Sequence, residues 1–253
     1  MHSLLESFKT VLANVCIYLC CHAMRLLVYL MYFFQKPQRL PPVTDEILMC
    51  SATSLAAAIR HGKIKSVDLV LAYIQRILEV EPIINAVIDH CFNDALRDAE
   101  AADLLVVSCT KSVKQLSQEK PLLGVPFSVK DGIAVQDMLQ DAGSLMYEGH
   151  RSTDDSPAVA LMRAAGAIPL LLTNVPELCI WGDTHNLLYG TTLNPHDTRR
   201  GPGGSSGGEG SLLASAGSLI GLGTDMVGSV RIPAAYCGVF GHKPTSGVVP
   251  NTG

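Results

Sequence analysis

The sequence predicts an α/β domain whose sheet is covered by helices on both faces, preceded by an apolar N-terminal helix. From Pro121 onward, after a helical stretch that begins near residue 47, short apolar runs broken by Gly and Pro alternate with amphipathic stretches, the signature of strand and helix in turn. One apolar segment, 11–34, stands apart from that pattern. A composition of 48% hydrophobic and 17% charged residues over 253 positions can bury a sizeable core and still leave greasy sequence to spare. The formal charge of −4 is spread along the chain with no Lys/Arg block, which argues against nucleic acid as a partner. The eight cysteines contain no CxxC pair, so they read as free thiols of a reducing compartment rather than a zinc site or a disulfide framework.

The segment "VLANVCIYLCCHAMRLLVYLMYFF" holds one formal charge, Arg25. As a helix it would span roughly 36 Å at about 1.5 Å per residue, enough to cross a bilayer. It reads as a retained membrane anchor over residues 1–35, with a tilted or interfacial helix as the alternative because a mid-span cation is costly. Its length and poor exit site do not fit a cleaved signal peptide. Lys36 and Arg39 after the span favour a cytosolic body. Cys16, Cys20 and Cys21 could carry acyl chains, but apolar buried thiols are the plainer reading.

A Pro-rich linker, 36–46, leads into a soluble domain, 47–253. Ser51 is placed to cap a helix through Ile59, and Ser66 a second one with Leu69, Val70, Tyr73, Ile74 and Ile77 on one face. A third helix covers Phe92 to Val107, and "SCTKSVKQLSQEKP" reads as a polar loop. "PLLGVPFSVKDGIAV" is a buried strand ending at Lys130 and Asp131. A helix from Pro157 to Ala165, a Gly166 stop and a strand from Ile168 to Leu172 follow. Functional groups on such a sheet collect at strand ends, where Lys130 and the Thr173, Asn174 turn fall.

Ten of the 22 glycines lie between Gly201 and Gly228. "GPGGSSGGEG" lacks the Lys of a phosphate loop, and "GLGTDMVG" does not fit dinucleotide spacing. The G-x-S-x-G match fails as a nucleophile elbow, because a polar turn precedes it and only His242 follows. A helix from Glu209 to Ala216 and a strand to Gly223 could fold back so that Ser229 meets Ser205. With no well-placed His, the available base is a lysine, and Ser–Lys is a known nucleophile and base pair. A lysine serves as base only when burial keeps it neutral, which singles out Lys130 at the end of its apolar strand.

"GVPFSVKD", "GAIPLLLTN", "YGTTLNP", "GGSSGGEG" and "GTDMVGSVRIP", in this order over residues 47–253, resemble the amidase signature family, most closely its membrane-bound fatty-acid amide hydrolases of the second type. The resemblance implies the amidase signature fold, a mixed sheet between helices. It also implies a carbon–nitrogen hydrolase that cleaves fatty-acid amides through a Ser–cis-Ser–Lys triad. Ser229 would be the nucleophile, Ser205 on a cis peptide bond the relay, Lys130 the base and Ser206 a hydrogen-bonding support for Lys130. Backbone N–H groups of Met226, Val227, Gly228 and Ser229 would form the oxyanion hole. No metal or organic cofactor is implied, since the triad needs none. The implied partners are a lipid amide and a membrane.

Asp225 and Arg231 read as loop-holding residues and His242 as a surface or structural one; Trp181, Met146 and Met226 fit core or acyl pocket equally. Val227 stands where the family usually has Gly, a strained position if it requires positive φ. Family members continue beyond the point matching Gly253, so the fold is expected to be incomplete at its C-terminus. A catalytically silent membrane-anchored fragment and a small-amide amidase or amidotransferase subunit stand as alternative functions. Oligomeric state, a homo-oligomer included, and the organelle are open.

Overall fold

The computed structural model describes residues 2–253, with side chains from residue 6 onward. The chain divides into two compact units, the first ending at Pro37 and the second Gln38–Gly253. The first is one helix, α1 (His2–Tyr32), of which Glu6–Tyr32 is long and apolar enough to cross a membrane. Cys16, Cys20 and Cys21 are exposed on it rather than buried.

In the second unit the stretch expected to be a linker lies on the body. Gln38 N–H donates to Thr198 Oγ1 at 2.8 Å, the Pro42 carbonyl accepts from Arg76, and Leu40 and Val43 pack on the core. Ser51 caps α2 (Ala52–Arg60) through the Ser54 N–H, as its position predicts. Helix α3 (Ser66–Ile84) is capped differently from expectation. Ser66 is its first helical residue, so its hydroxyl donates instead to the Gly124 carbonyl, and Asp103 of α4 (Phe92–Ser108) accepts the Ser66 and Val67 N–H groups.

The expected polar loop contains a helix, α5 (Val113–Glu119). Ser112 and Gln115 form a reciprocal capping box, and Leu116 alone ties the helix to the core, so almost no apolar period betrays it.

A four-stranded mixed sheet runs in the order β1 (Val87–His90), β3 (Ile168–Thr173), β2 (Pro126–Lys130), β6 (Gly221–Leu222). Strands β2, β3 and β6 are parallel, and β1 is antiparallel to β3. The parallel strands are read from sequence; β1 is too short and too polar at "VIDH" to stand out. A small hairpin, β4 (His185–Asn186) with β5 (Gly190–Thr191), lies outside the sheet.

Helices α2, α3 and α4 bury Leu55, Ile59, Leu69, Tyr73, Ile77 and Ala99 in one cluster with Ile168, Leu170 and Leu171. The other cluster packs Val159 of α6 (Pro157–Ala164) with Phe127, Val129 and Leu172. Strand alternation therefore sends Phe127 and Val129 to one face and Ser128 and Lys130 to the other. On that second face lies α7 (Gly207–Ala214), and α8 (Arg231–Cys237) packs on α7.

Candidate active site

Lys130 ends a strand buried at all five positions, and it is itself fully buried. A long polar side chain in that setting must find hydrogen-bond partners inside the protein. Its Nζ donates to Ser205 Oγ and to Thr224 Oγ1, both at 2.7 Å. Burial lowers its pKa below the usual lysine value, while Cys179, Glu209 and Asp131 oppose the fall.

Ser205 follows a cis Gly204–Ser205 peptide bond, and Ser206 immediately precedes α7. The glycines here permit close approach of chain to chain. A Cβ on Gly208 would lie 2.6 Å from both the N and the O of Asn174, so α7 sits directly on the end of β3. The turn at Asn174 is fixed in its own right: Asn174 Nδ2 donates to Thr192 Oγ1, Asn186 Nδ2 donates to Asn174 Oδ1, and Thr192 donates to the Asn85 carbonyl. "YGTTLNP" thus contributes a clamp on the strand end rather than a reacting group.

The path from Ser205 through α7 and β6 does fold back. Ser206 N–H donates to the Ser229 carbonyl at 3.0 Å, joining the two serine loops. The bond expected from Ser206 to Lys130 is not formed among the described residues. Ser206 Oγ is directed to the Thr224 carbonyl, 3.5 Å away, and the Thr224 hydroxyl occupies the place at Lys130. The Ser229 hydroxyl has no hydrogen-bond partner among the described residues.

Asp225 organises the Ser229 loop. Its carboxylate accepts from the N–H groups of Gly228 (2.7 Å), Val230 (3.2 Å) and Arg231 (3.3 Å) and from the Arg231 guanidinium at 2.9 Å twice. The Arg231 side chain and these amides hold its pKa well below the carboxylate range. Of the four expected oxyanion donors, Gly228 is therefore occupied, and Met226, Val227 and Ser229 have no protein acceptor among the described residues. Val227 escapes the feared strain because the positive φ falls on Gly228, at 137°. Trp181, Met146 and Met226 are 73%, 81% and 85% exposed, which removes them from the core, and His242 is exposed.

A second buried acid pair adjoins the lysine. The Gly143 N–H donates to Asp131 Oδ2 (3.1 Å) and Asp141 Oδ1 (3.0 Å), and Tyr189 donates to Asp141. Both carboxyls are fully buried, and Asp131 Oδ1 has no hydrogen-bond partner among the described residues. Burial, then the neighbouring Asp141, raises Asp131 to about 7. Between about pH 4, where an unfolded Asp ionises, and pH 7 the folded chain holds a proton that the unfolded chain has released. Stability contributed by that proton is complete below this window and is lost as pH rises through it. Glu81 and Glu209, also raised to about 7 chiefly by burial, slope the same way. Asp131→Asn should therefore be relatively more stable at pH 8 than at pH 5 when its melting temperature is compared with that of the unsubstituted chain. An equal difference at both pH values would show that Asp131 does not hold the proton.

Sequence reasoning did not find Thr224, Cys179 or Glu209. Glu209 had a signal, as the one charge in the helical run "GGEGSLLA", whereas the packing of Thr224 and Cys179 on Lys130 depends on tertiary placement alone.

The family model described as Amidase matches residues 68–253. Fatty-acid amide hydrolase 2-A of Danio rerio is 49% identical over 215 residues, 85% of this chain and 40% of that protein. Fatty-acid amide hydrolase 2 of Homo sapiens is 44% identical over 212 residues, 84% of this chain and 40% of that protein. The solved structure of a fatty acid amide hydrolase superposes with a TM-score of 0.71 at 29% identity, covering 78% of this chain and 34% of that one. The chain thus spans about 40% of the length of the curated relatives it matches. With the mixed sheet, the matched span and these likenesses together, the chain belongs to the amidase signature family.

Proposed function

We propose that the chain belongs to a membrane-anchored serine hydrolase that cleaves fatty-acid amides to fatty acid and amine. Ser229 Oγ attacks the amide carbonyl, passing its proton to Ser205 Oγ, whose own proton goes to Lys130 Nζ. Collapse of the tetrahedral intermediate breaks the C–N bond, the amine leaves with the proton returned along the same relay, and water then releases the acyl group from Ser229. Backbone N–H groups at Met226, Val227 and Ser229 are the donors available to the oxyanion.

The observation that carries this reading is the 2.7 Å contact from a fully buried Lys130 to Ser205. A neutral amine can accept a proton there, and burial favours the neutral form. The substrate class is supported by the apolar surroundings. Exposed Met226 and Val227 directly precede Gly228 and Ser229. Helix α1 would hold the body at the bilayer, where long-chain amides partition.

The test is labelling of the detergent-solubilised chain with a fluorophosphonate probe, followed by mapping of the modified residue. Modification at Ser229 that Ser229→Ala and Lys130→Ala each abolish is the expected result. Modification elsewhere, or labelling that survives Lys130→Ala at full rate, would refute the assigned triad.

A further inference from the structure

We infer that Glu209 is the buried counter-charge of Lys130, a positioning residue held beneath the site by Ser128 and Thr173. The inference rests on the reading of Lys130 as the base. Ser128 and Lys130 are two residues apart on β2 and so share a face, and Thr173 is the register partner of Lys130 on β3. Those two hydroxyls point to one carboxylate. Ser128 Oγ donates to Glu209 Oε2 at 2.6 Å, and Thr173 Oγ1 donates to Oε1 at 2.8 Å. Glu209, in the first turn of α7, is therefore beneath the same pair of strand positions that present the lysine.

Gly221 of β6 leaves room for it: a Cβ there would meet Oε2, and the carboxylate would have to shift to admit a side chain. In its ionised form this carboxylate accepts from both hydroxyls. Buried ionised carboxylates persist where a cation balances them. Among the described residues the other buried cation, Arg76, is already engaged by Glu79 and by the Ser215 carbonyl, which leaves Lys130.

The groups facing Lys130 are Ser205 and Thr224, which are uncharged; Asp131, beside it in sequence; Cys179 from the Glu177–Cys179 turn; and Glu209. Asp131 shares the Gly143 N–H with Asp141, and burial pushes the Cys179 thiol up. Glu209 faces only Lys130 among charged groups, with the hydroxyls of Ser128 and Thr173 around it. When Lys130 receives the proton of Ser205, Glu209 supplies the matching negative charge. This attraction works against desolvation, keeping the lysine's proton affinity high enough to act as base.

The lysine titration tests this directly. The full chain is labelled with 13Cε-lysine in detergent, and the Lys130 resonance is assigned by its loss in Lys130→Met. In Glu209→Gln the midpoint should fall by about one pH unit, the size of an opposite-charge effect. In Thr173→Val, which keeps the carboxylate but removes a donor, it should move the same way by less. The acid limb of Ser229 labelling should move with the midpoint. An unchanged lysine midpoint overturns the inference, and Thr173→Val decides it if Glu209→Gln fails to fold. A midpoint that moves in a chain whose Ser229 never reacts would instead sink the hydrolase reading and leave the Lys130–Glu209 coupling standing.

Discussion

On the proposed hydrolase reading, Lys130→Met should lower the rate of long-chain amide hydrolysis by about three orders of magnitude, within the range expected for removing a general base. Methionine fills a similar volume with no proton-accepting atom of comparable strength, so the apolar stem is retained and the chemistry is lost. The fold should survive, because Lys130 is joined to its surroundings by only two hydroxyl contacts. Its stability should acquire a stronger pH dependence. Glu209, deprived of its cation, would remain protonated to higher pH when folded, and stability would decline as alkalinity forces it to ionise. Fatty-acid release and melting temperature across pH 5 to 9 check both parts. Retention of more than about a tenth of the rate would be incompatible with a base that contributes two or more orders of magnitude.

Phe127→Ala should cost about 3–5 kcal/mol, the usual consequence of emptying a fully buried aromatic site. Phe127 is fully buried on the central strand β2, against the layer that includes Val159 of α6. The cavity would open beneath the strand that ends in Lys130, so activity should fall with stability. Denaturant unfolding of the substituted and unsubstituted chains gives the difference. A loss below about 1 kcal/mol would mean that this face of the sheet collapses to fill the space, contrary to a tightly packed layer.

The two buried parallel strands were legible because "VPFSV" and "IPLLL" are apolar runs bounded by Gly, Pro and polar turns. Helix α2 was legible through its Ser51 cap. Residues that owe their role to distant partners were not. Ser66 looks like a cap, yet Asp103, 37 residues away, takes the backbone amide that a cap would serve. Strand β1 offers only "VIDH", whose pairing with β3 is a tertiary fact. Within the site, spacing and residue type picked out Lys130, Ser205 and Ser229. They could not show that Thr224 occupies the contact expected of Ser206, since a hydroxyl on either residue satisfies the same pattern.

Asp225 gives the Ser229 loop a property that belongs to its motion. With the amides of Gly228, Val230 and Arg231 bound to one carboxylate, this loop is ordered before any ligand arrives. Those amides should exchange slowly with solvent deuterium, whereas the neighbouring amides of Met226 and Val227 exchange fast, two mobile protons set in a stationary frame. A developing negative charge would then meet dipoles already aimed and spend little energy in reorienting them.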